Sequence, residues 1–228
     1  MSALAELDAA VVDCCACPRL MAWREQVAQK PRPAFAGEEY WARPVPGFGA
    51  EDAALAVVGL APSAHGANRT GRMFTGDPSG DLLFRVLYET GLASQPQSRG
   101  RGDGLVLRGT RLVSPVRCAP PDNRPTPAER DTCRHWLADE LALLRPTLRA
   151  VVVLGAFGWQ ALLPVLAEAG LPVPSPRPRF GHGVQVQLAD LRLFGCYHVS
   201  PRNVQTGRLT HSMVGTVITA AATAAGLV

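Results

Sequence analysis

Ala54-Leu-Ala-Val-Val-Gly59 is a continuous apolar run, followed by a polar loop to Gly76, then Asp77-Pro78, then Leu82, Leu83, Val86 and Leu87 at helical spacing up to Gly91. The run has the length of a strand buried on both faces, as in a parallel sheet. Asp77 reads as a helix N-cap and Pro78 as the first helical residue, where its missing N–H costs nothing. Strand, long loop and helix in that order form the first half of a parallel crossover unit. The pattern recurs along the chain. Arg111-Leu-Val-Ser-Pro-Val116, Ala150 to Gly155 and Leu193 to His198 read as further strands. Helices are expected over Ala3 to Val12, Thr126 to Leu144, Trp159 to Ala169 and about Ser212 to Ala225, the second opened by the capping box Thr126-Pro-Ala-Glu129. Pro31 to Gly49, Ser98 to Gly104 and Pro172 to Pro178 read as loops. The expected fold is therefore α/β: three layers, α/β/α, about a central mostly parallel sheet of about four strands, in one domain over residues 1–228. Such folds place their sites outside the carboxyl ends of the strands.

Composition narrows the class further. Of the 228 residues, 47% are hydrophobic and 18% charged, the balance of a chain able to bury a sizeable core. No apolar span of membrane length and no signal-peptide pattern is legible, so the expected setting is the cytoplasm, with no membrane partner. The formal charge of +4 leans weakly toward polyanions. Lys30 is the only lysine.

Four of the six cysteines are spaced as a ligand set: Cys14 and Cys17 near the start, Cys118 and Cys133 about one hundred residues on. A chain of this length needs no disulfide staple, and soft thiolates in a reducing compartment suit iron–sulfur clusters or zinc. The interval between Cys118 and Cys133 is too long for a zinc knuckle, which favours a four-iron cluster; zinc and unrelated buried thiols are the other two readings. Cys15 competes with Cys14 for its place, and Cys196 reads as a buried thiol inside a strand.

Three polar loops should meet at the strand ends. They are Gly59-Leu-Ala-Pro-Ser-Ala-His-Gly-Ala-Asn-Arg-Thr-Gly-Arg-Met-Phe-Thr-Gly-Asp-Pro-Ser-Gly80, Cys118-Ala-Pro-Pro-Asp-Asn-Arg-Pro-Thr, and His198-Val-Ser-Pro-Arg-Asn-Val-Gln-Thr-Gly-Arg-Leu-Thr210. The first is glycine-rich but lacks both the P-loop ending and the dinucleotide spacing, so no nucleotide cofactor is expected. Together the loops and the four cysteines resemble the uracil-DNA glycosylase superfamily, most closely its family 5, the type B enzymes with a four-iron, four-sulfur cluster. The resemblance covers essentially the whole chain.

It implies a uracil-DNA glycosylase-like fold with an iron–sulfur loop region. The implied activity is that of a monofunctional repair enzyme, a monomer, flipping a deaminated base out of double-stranded DNA and hydrolysing its glycosidic bond. Phe74 matches the position that stacks on the extruded base. Asp77 and His198 are the candidates for stabilising the charges that develop on sugar and base, and Asn123 matches a further catalytic position. Ala61, Ser63, His65, Asn68 and Ser114 are expected to line the substrate pocket. Leu60 and Ala61 stand where sister families carry a water-activating carboxylate, so the hydrolytic role passes to Asp77. Ser114 stands where an asparagine reads uracil, which implies a broad pocket accepting hypoxanthine, xanthine and ethenocytosine as well. Arg69, Arg72, Arg202, Asn203, Val204, Gln205 and Arg208 are the expected DNA contacts, the last five forming a minor-groove wedge. Cys14, Cys17, Cys118 and Cys133 would hold one 4Fe–4S cluster of structural use. With Lys30 outside every motif, water rather than a Schiff base is the expected nucleophile. A nucleic-acid-binding protein without catalysis and a hydrolase of free nucleosides are the rival functions.

Overall fold

The computed structural model describes residues 1–228. In chain order the regular elements are α1 (Ala3–Val12), α2 (Pro18–Gln29), β1 (Phe48–Gly49), β2 (Leu55–Val58), α3 (Ala67–Thr70), α4 (Pro78–Glu89), β3 (Thr110–Val113), α5 (Pro127–Leu144), β4 (Ala150–Leu154), α6 (Ala156–Glu168), β5 (Gln185–Leu188), β6 (Leu191–Cys196), α7 (Pro201–Gln205) and α8 (His211–Ala224). One-turn 3₁₀ helices cover Pro33–Phe35 and Pro121–Asn123.

The sheet has six strands in the order β1-β3-β2-β4-β6-β5. The four expected strands form its parallel centre, and two antiparallel strands, β1 against β3 and β5 against β6, close its edges. Every residue of β2, β3 and β4 is buried, which is why β2 and β4 read as uninterrupted apolar runs, while β3 buries Thr110 and Arg111 as well. Successive side chains take opposite faces. Leu55, Val57, Val152 and Leu154 face a core closed by α4 and α8, whereas Ala56, Val58, Val151 and Val153 face one closed by α1, α5 and α6. This is the three-layer α/β/α architecture. From β2 the chain runs to β3 on one side, then returns to β4 on the other. The strand order therefore reverses at the carboxyl ends of β2 and β4, where doubly wound sheets open a crevice.

A buried ion network joins the α1/α5 layer to the sheet. Arg111 of β3 donates to both carboxylate oxygens of Asp8 at 2.7 and 2.8 Å and to Glu140 of α5, whose other oxygen accepts from Arg117. Glu140 and Arg117 have side chains only 1% exposed. Burial alone would raise the Glu140 carboxyl, but the Arg117 and Arg111 guanidiniums outweigh it and hold it below the usual carboxylate range. Removing one member strands the others without a counter-charge. Glu140→Ala is expected to cost about 3–5 kcal/mol, read as a fall in the urea midpoint. Asp190→Ala, which breaks the exposed Arg145–Asp190 pair, should leave the midpoint unchanged.

Candidate active site

The loop after β2 sets the site. Its far end is pinned by Asp77, whose Oδ1 accepts from the backbone N–H groups of Ser79 and Gly80 at 2.9 and 3.1 Å and so caps α4. The other oxygen, Oδ2, accepts from the hydroxyl of Ser63 at the loop's near end. One carboxylate thus closes a fourteen-residue span. The span holds Phe74 at φ +54°, in the left-handed region that an aromatic residue seldom occupies. Two glycines admit this arrangement. A Cβ on Gly80 would overlap the Phe74 carbonyl, and one on Gly59 would fall 2.6 Å from the Phe74 ring.

The loop walls a cavity of ≈ 550 Å³ at the strand-order reversal. Ala61, Ser63, His65, Phe74 and Asp77 line it from the loop after β2, Ser114 from the end of β3, Asn123 from the second 3₁₀ turn, and His198 from just beyond β6. His198 is half-buried, and burial pushes its imidazole below the ordinary value near 6.5 while the Asp77 carboxylate pulls it the other way. Burial wins, so the ring is neutral at neutral pH. Ser114 donates its hydroxyl hydrogen to the Val116 carbonyl at 2.8 Å, leaving only acceptor capacity toward the cavity. Asn123 stands exposed at φ +54° after Asp122 at φ +53°. Arg32 and Phe35 supply a wall outside every recognised motif. Phe35 stacks near His65, and the Tyr40 hydroxyl bonds His65 Nδ1 at 2.9 Å. The only sequence signal for them was a cation and an aromatic residue among prolines.

Several expected contacts take other roles. Arg72 is 5% exposed and grips Asp103, Ser98 and Thr75, so it reaches no DNA phosphate without breaking an ion pair. Arg69 turns inward as well, bonding the carbonyls of His65 and Gly76 and pairing with Glu38. Asn68 is fully buried and does not line the cavity; its amide donates to the carbonyls of Arg24 and Ala64 at 3.3 and 3.4 Å. Asn203 is spent on the His198 carbonyl, at 2.7 Å, and positions that histidine from α7. Arg202 and Gln205 on α7, and Arg208 just after it, are exposed beside the cavity, and Val204 of α7 keeps 41% of its surface. Arg208 lies over the Tyr197 ring at 4.5 Å.

Behind the site, Cys14, Cys17, Cys118 and Cys133 line one small cavity between the N-terminal helices and α5. Cys15 points elsewhere, toward the carbonyl of Asp13 at 3.4 Å. No three Cys, His, Asp or Glu side chains converge tightly enough to hold a single metal ion. The surroundings fit a larger anionic group: Arg24 Nη1 donates to Cys118 Sγ at 3.1 Å, the Arg117 N–H donates to Cys133 Sγ at 3.3 Å, and buried nitrogens of both guanidiniums lack a partner. Burial pushes the Cys118 and Cys133 thiols up to about 11 and about 12, so binding a metal there must release protons. Cys196, the buried thiol of β6, is likewise raised to about 12 by burial and stands apart.

Comparison with known proteins adds to this geometry. The uracil DNA glycosylase superfamily matches residues 46–220. The chain is 51% identical over 225 residues to the type-5 uracil-DNA glycosylase of Mycobacterium tuberculosis, covering 98% of this chain and 82% of that one. It is 52% identical over 215 residues to the type-5 enzyme of Thermus thermophilus, covering 94% of each. A type-4 uracil-DNA glycosylase of Thermotoga maritima matches at 32% over 113 residues, about half of either chain.

The loop pin is open to a direct test. A Cβ on Gly66 would overlap Ser63 Oγ and Asp77 Oδ2 together. Gly66→Ala should therefore force the Ser63–Asp77 contact apart and cost about 1–3 kcal/mol, measured by urea unfolding.

Proposed function

The chain belongs to the uracil DNA glycosylase superfamily, and we propose that it is a monofunctional DNA glycosylase that removes uracil from double-stranded DNA and leaves an abasic site. It is a hydrolase of N-glycosyl bonds. The observation that carries the reading is that one cavity at the strand ends collects an aromatic face, a fixed carboxylate and a neutral imidazole.

In this reading the extruded base stacks on Phe74, and the cost of unpairing is offset by stacking and by contacts to the base edge. Breaking the glycosidic bond builds positive charge on the deoxyribose and negative charge on the departing base. Asp77 supplies the negative field for the sugar. Both its oxygens are already held by donors, so it acts as a preorganised charge rather than as a proton acceptor. His198, neutral because it is buried, donates a hydrogen bond to the base oxygen where charge develops. Asn123, at the cavity mouth, contacts the base or the attacking water. Ser114 offers only an acceptor, and an acceptor alone reads the base edge loosely. We therefore extend the substrates to hypoxanthine, xanthine and ethenocytosine. Lys30 lies outside the cavity lining, which supports water as the nucleophile.

Val204, flanked by Arg202, Gln205 and Arg208, is the wedge that fills the gap left in the duplex. Arg202 and Arg208 supply phosphate contacts, in place of Arg69 and Arg72. We assign one 4Fe–4S cluster to Cys14, Cys17, Cys118 and Cys133, supported by four thiols on a common cavity and by the partnerless cationic nitrogens around it. When bound, the cluster cross-links the N-terminal helices to the Cys118 loop and supplies no electrons to the reaction. No helix is long and apolar enough to cross a membrane. A cytoplasmic monomer with one domain fits this reading.

The decisive assay offers uracil, hypoxanthine, xanthine and thymine in single- and double-stranded DNA, with free deoxyuridine as control, to protein whose iron and sulfide have been measured. Base should be released from duplex U:G with the strand uncut until alkali is added, and deoxyuridine should be left intact. Failure of folded, cluster-loaded protein to release any base overturns the proposal. Asp77→Asn keeps a good helix cap, so stability should hold while the single-turnover rate falls roughly 10²-fold or more. The rate should also fall as pH drops below 6.5 through the lowered pKa of His198. A proton there would cancel the Asp77 charge. The rate should be flat above 6.5, and the acid limb should vanish in His198→Asn.

A further inference from the structure

The inward face of α2 carries a charge. Leu20, Arg24 and Val27 are the residues this helix buries, and Arg24 is 4% exposed. A guanidinium remains protonated in any folded protein, and a buried charge without a counter-charge is strongly destabilising. The other buried arginines have carboxylate partners: Arg72 on Asp103, Arg111 on Asp8 and Glu140, Arg117 on Glu140. Arg24 has none. Its one side-chain hydrogen bond runs from Nη1 to Cys118 Sγ at 3.1 Å, and its Nε is buried without a partner. Arg117 presents two more partnerless nitrogens, Nε and Nη1, and lines the same cysteine cavity. Neutral thiols would repay little of the cost of burying Arg24, whereas four thiolates around a cluster carry a net negative charge.

We propose that Arg24 is the counter-charge of the cluster and sets both its reduction potential and its retention. The proposal rests on the cluster assignment made above. Reduction adds one electron, hence one negative charge, to the cluster. A cation hydrogen-bonded to a ligand sulfur favours that state and raises the potential. The same contact holds Cys118 Sγ in place, as outer contacts to metal ligands generally do.

The test compares full-length wild type, Arg24→Gln and Arg24→Lys, each checked for folding by circular dichroism and for iron and sulfide content. The readouts are the midpoint potential in an anaerobic dithionite titration and the rate at which iron passes to a chelator. Arg24→Gln should titrate at a lower potential and lose iron roughly 10-fold faster. Arg24→Lys, which keeps the charge, should keep the wild-type potential. If Arg24→Gln does not fold, the lysine variant decides alone, and a lowered potential there overturns the proposal. Wild-type potential and iron retention in folded Arg24→Gln overturn it as well, with the cluster assignment left standing. Wild-type protein without iron and sulfide overturns both.

Discussion

The hydrogen bonds of one carboxylate organise the part of this molecule that matters for its chemistry. Asp77 terminates α4 in the ordinary way of an N-cap, and its second oxygen takes the Ser63 hydroxyl from the other end of the loop. A loop of that length would otherwise be free to sample many conformations. Closed by Asp77, it holds Phe74 in a backbone conformation that an aromatic residue does not adopt by preference, at a cost of order 1–3 kcal/mol that the rest of the loop must offset. The same bonds that fold the helix leave a fixed negative charge facing the cavity. Structure and proposed chemistry share one side chain.

The second constraint is the burial of charge on the opposite side of the loop. Arg111, Glu140, Arg117 and Asp8 tie β3 to α1 and α5, and Arg117 stands immediately before Cys118. Arg24 extends this layer from α2. Its guanidinium meets Cys118 Sγ, and its carbonyl receives the amide of Asn68 in α3, within the loop that Asp77 closes. α2 thus lines the cysteine cavity and, through Asn68, also touches the loop that walls the other cavity. Arg24 occupies an inward position of that helix where an apolar residue is the ordinary choice.

The central strands and most helices were legible because a parallel sheet buries whole strands and leaves continuous apolar runs, and because Asp77-Pro78 and Thr126-Pro127 announce their helices. The helix α2 was not, since its inward face interrupts the apolar period with Arg24; Pro18 at its first position was the signal that remained. The edge strand β5 is short and largely exposed, and the strict alternation of Val184-Gln-Val-Gln-Leu188 was the signal that could have found it. Among the site residues, Phe74, Asp77, Ser114, Asn123 and His198 were named from motifs that lie far apart in the chain, and the sheet brings their loops to one edge. Arg69, Arg72, Asn68 and Asn203 sit in the same loops, and position in the sequence alone does not tell them from residues that face the cavity. A motif marks a residue as special without saying which way it points.

By itself, then, the sequence determined the class of fold, the order of the elements and the set of chemical groups available, because apolar periodicity and capping chemistry are local properties of the chain. Only the tertiary structure decided which polar side chains face the cavity and which are consumed inside the protein. That choice depends on partners distant in sequence. Arg72 is removed from the surface by Asp103, Asn203 is turned to the carbonyl of His198, and Arg24 is drawn to the sulfur of Cys118. Arg72 and Arg24 are donors that burial obliges to find an acceptor, and in all three cases the acceptor found is set by packing.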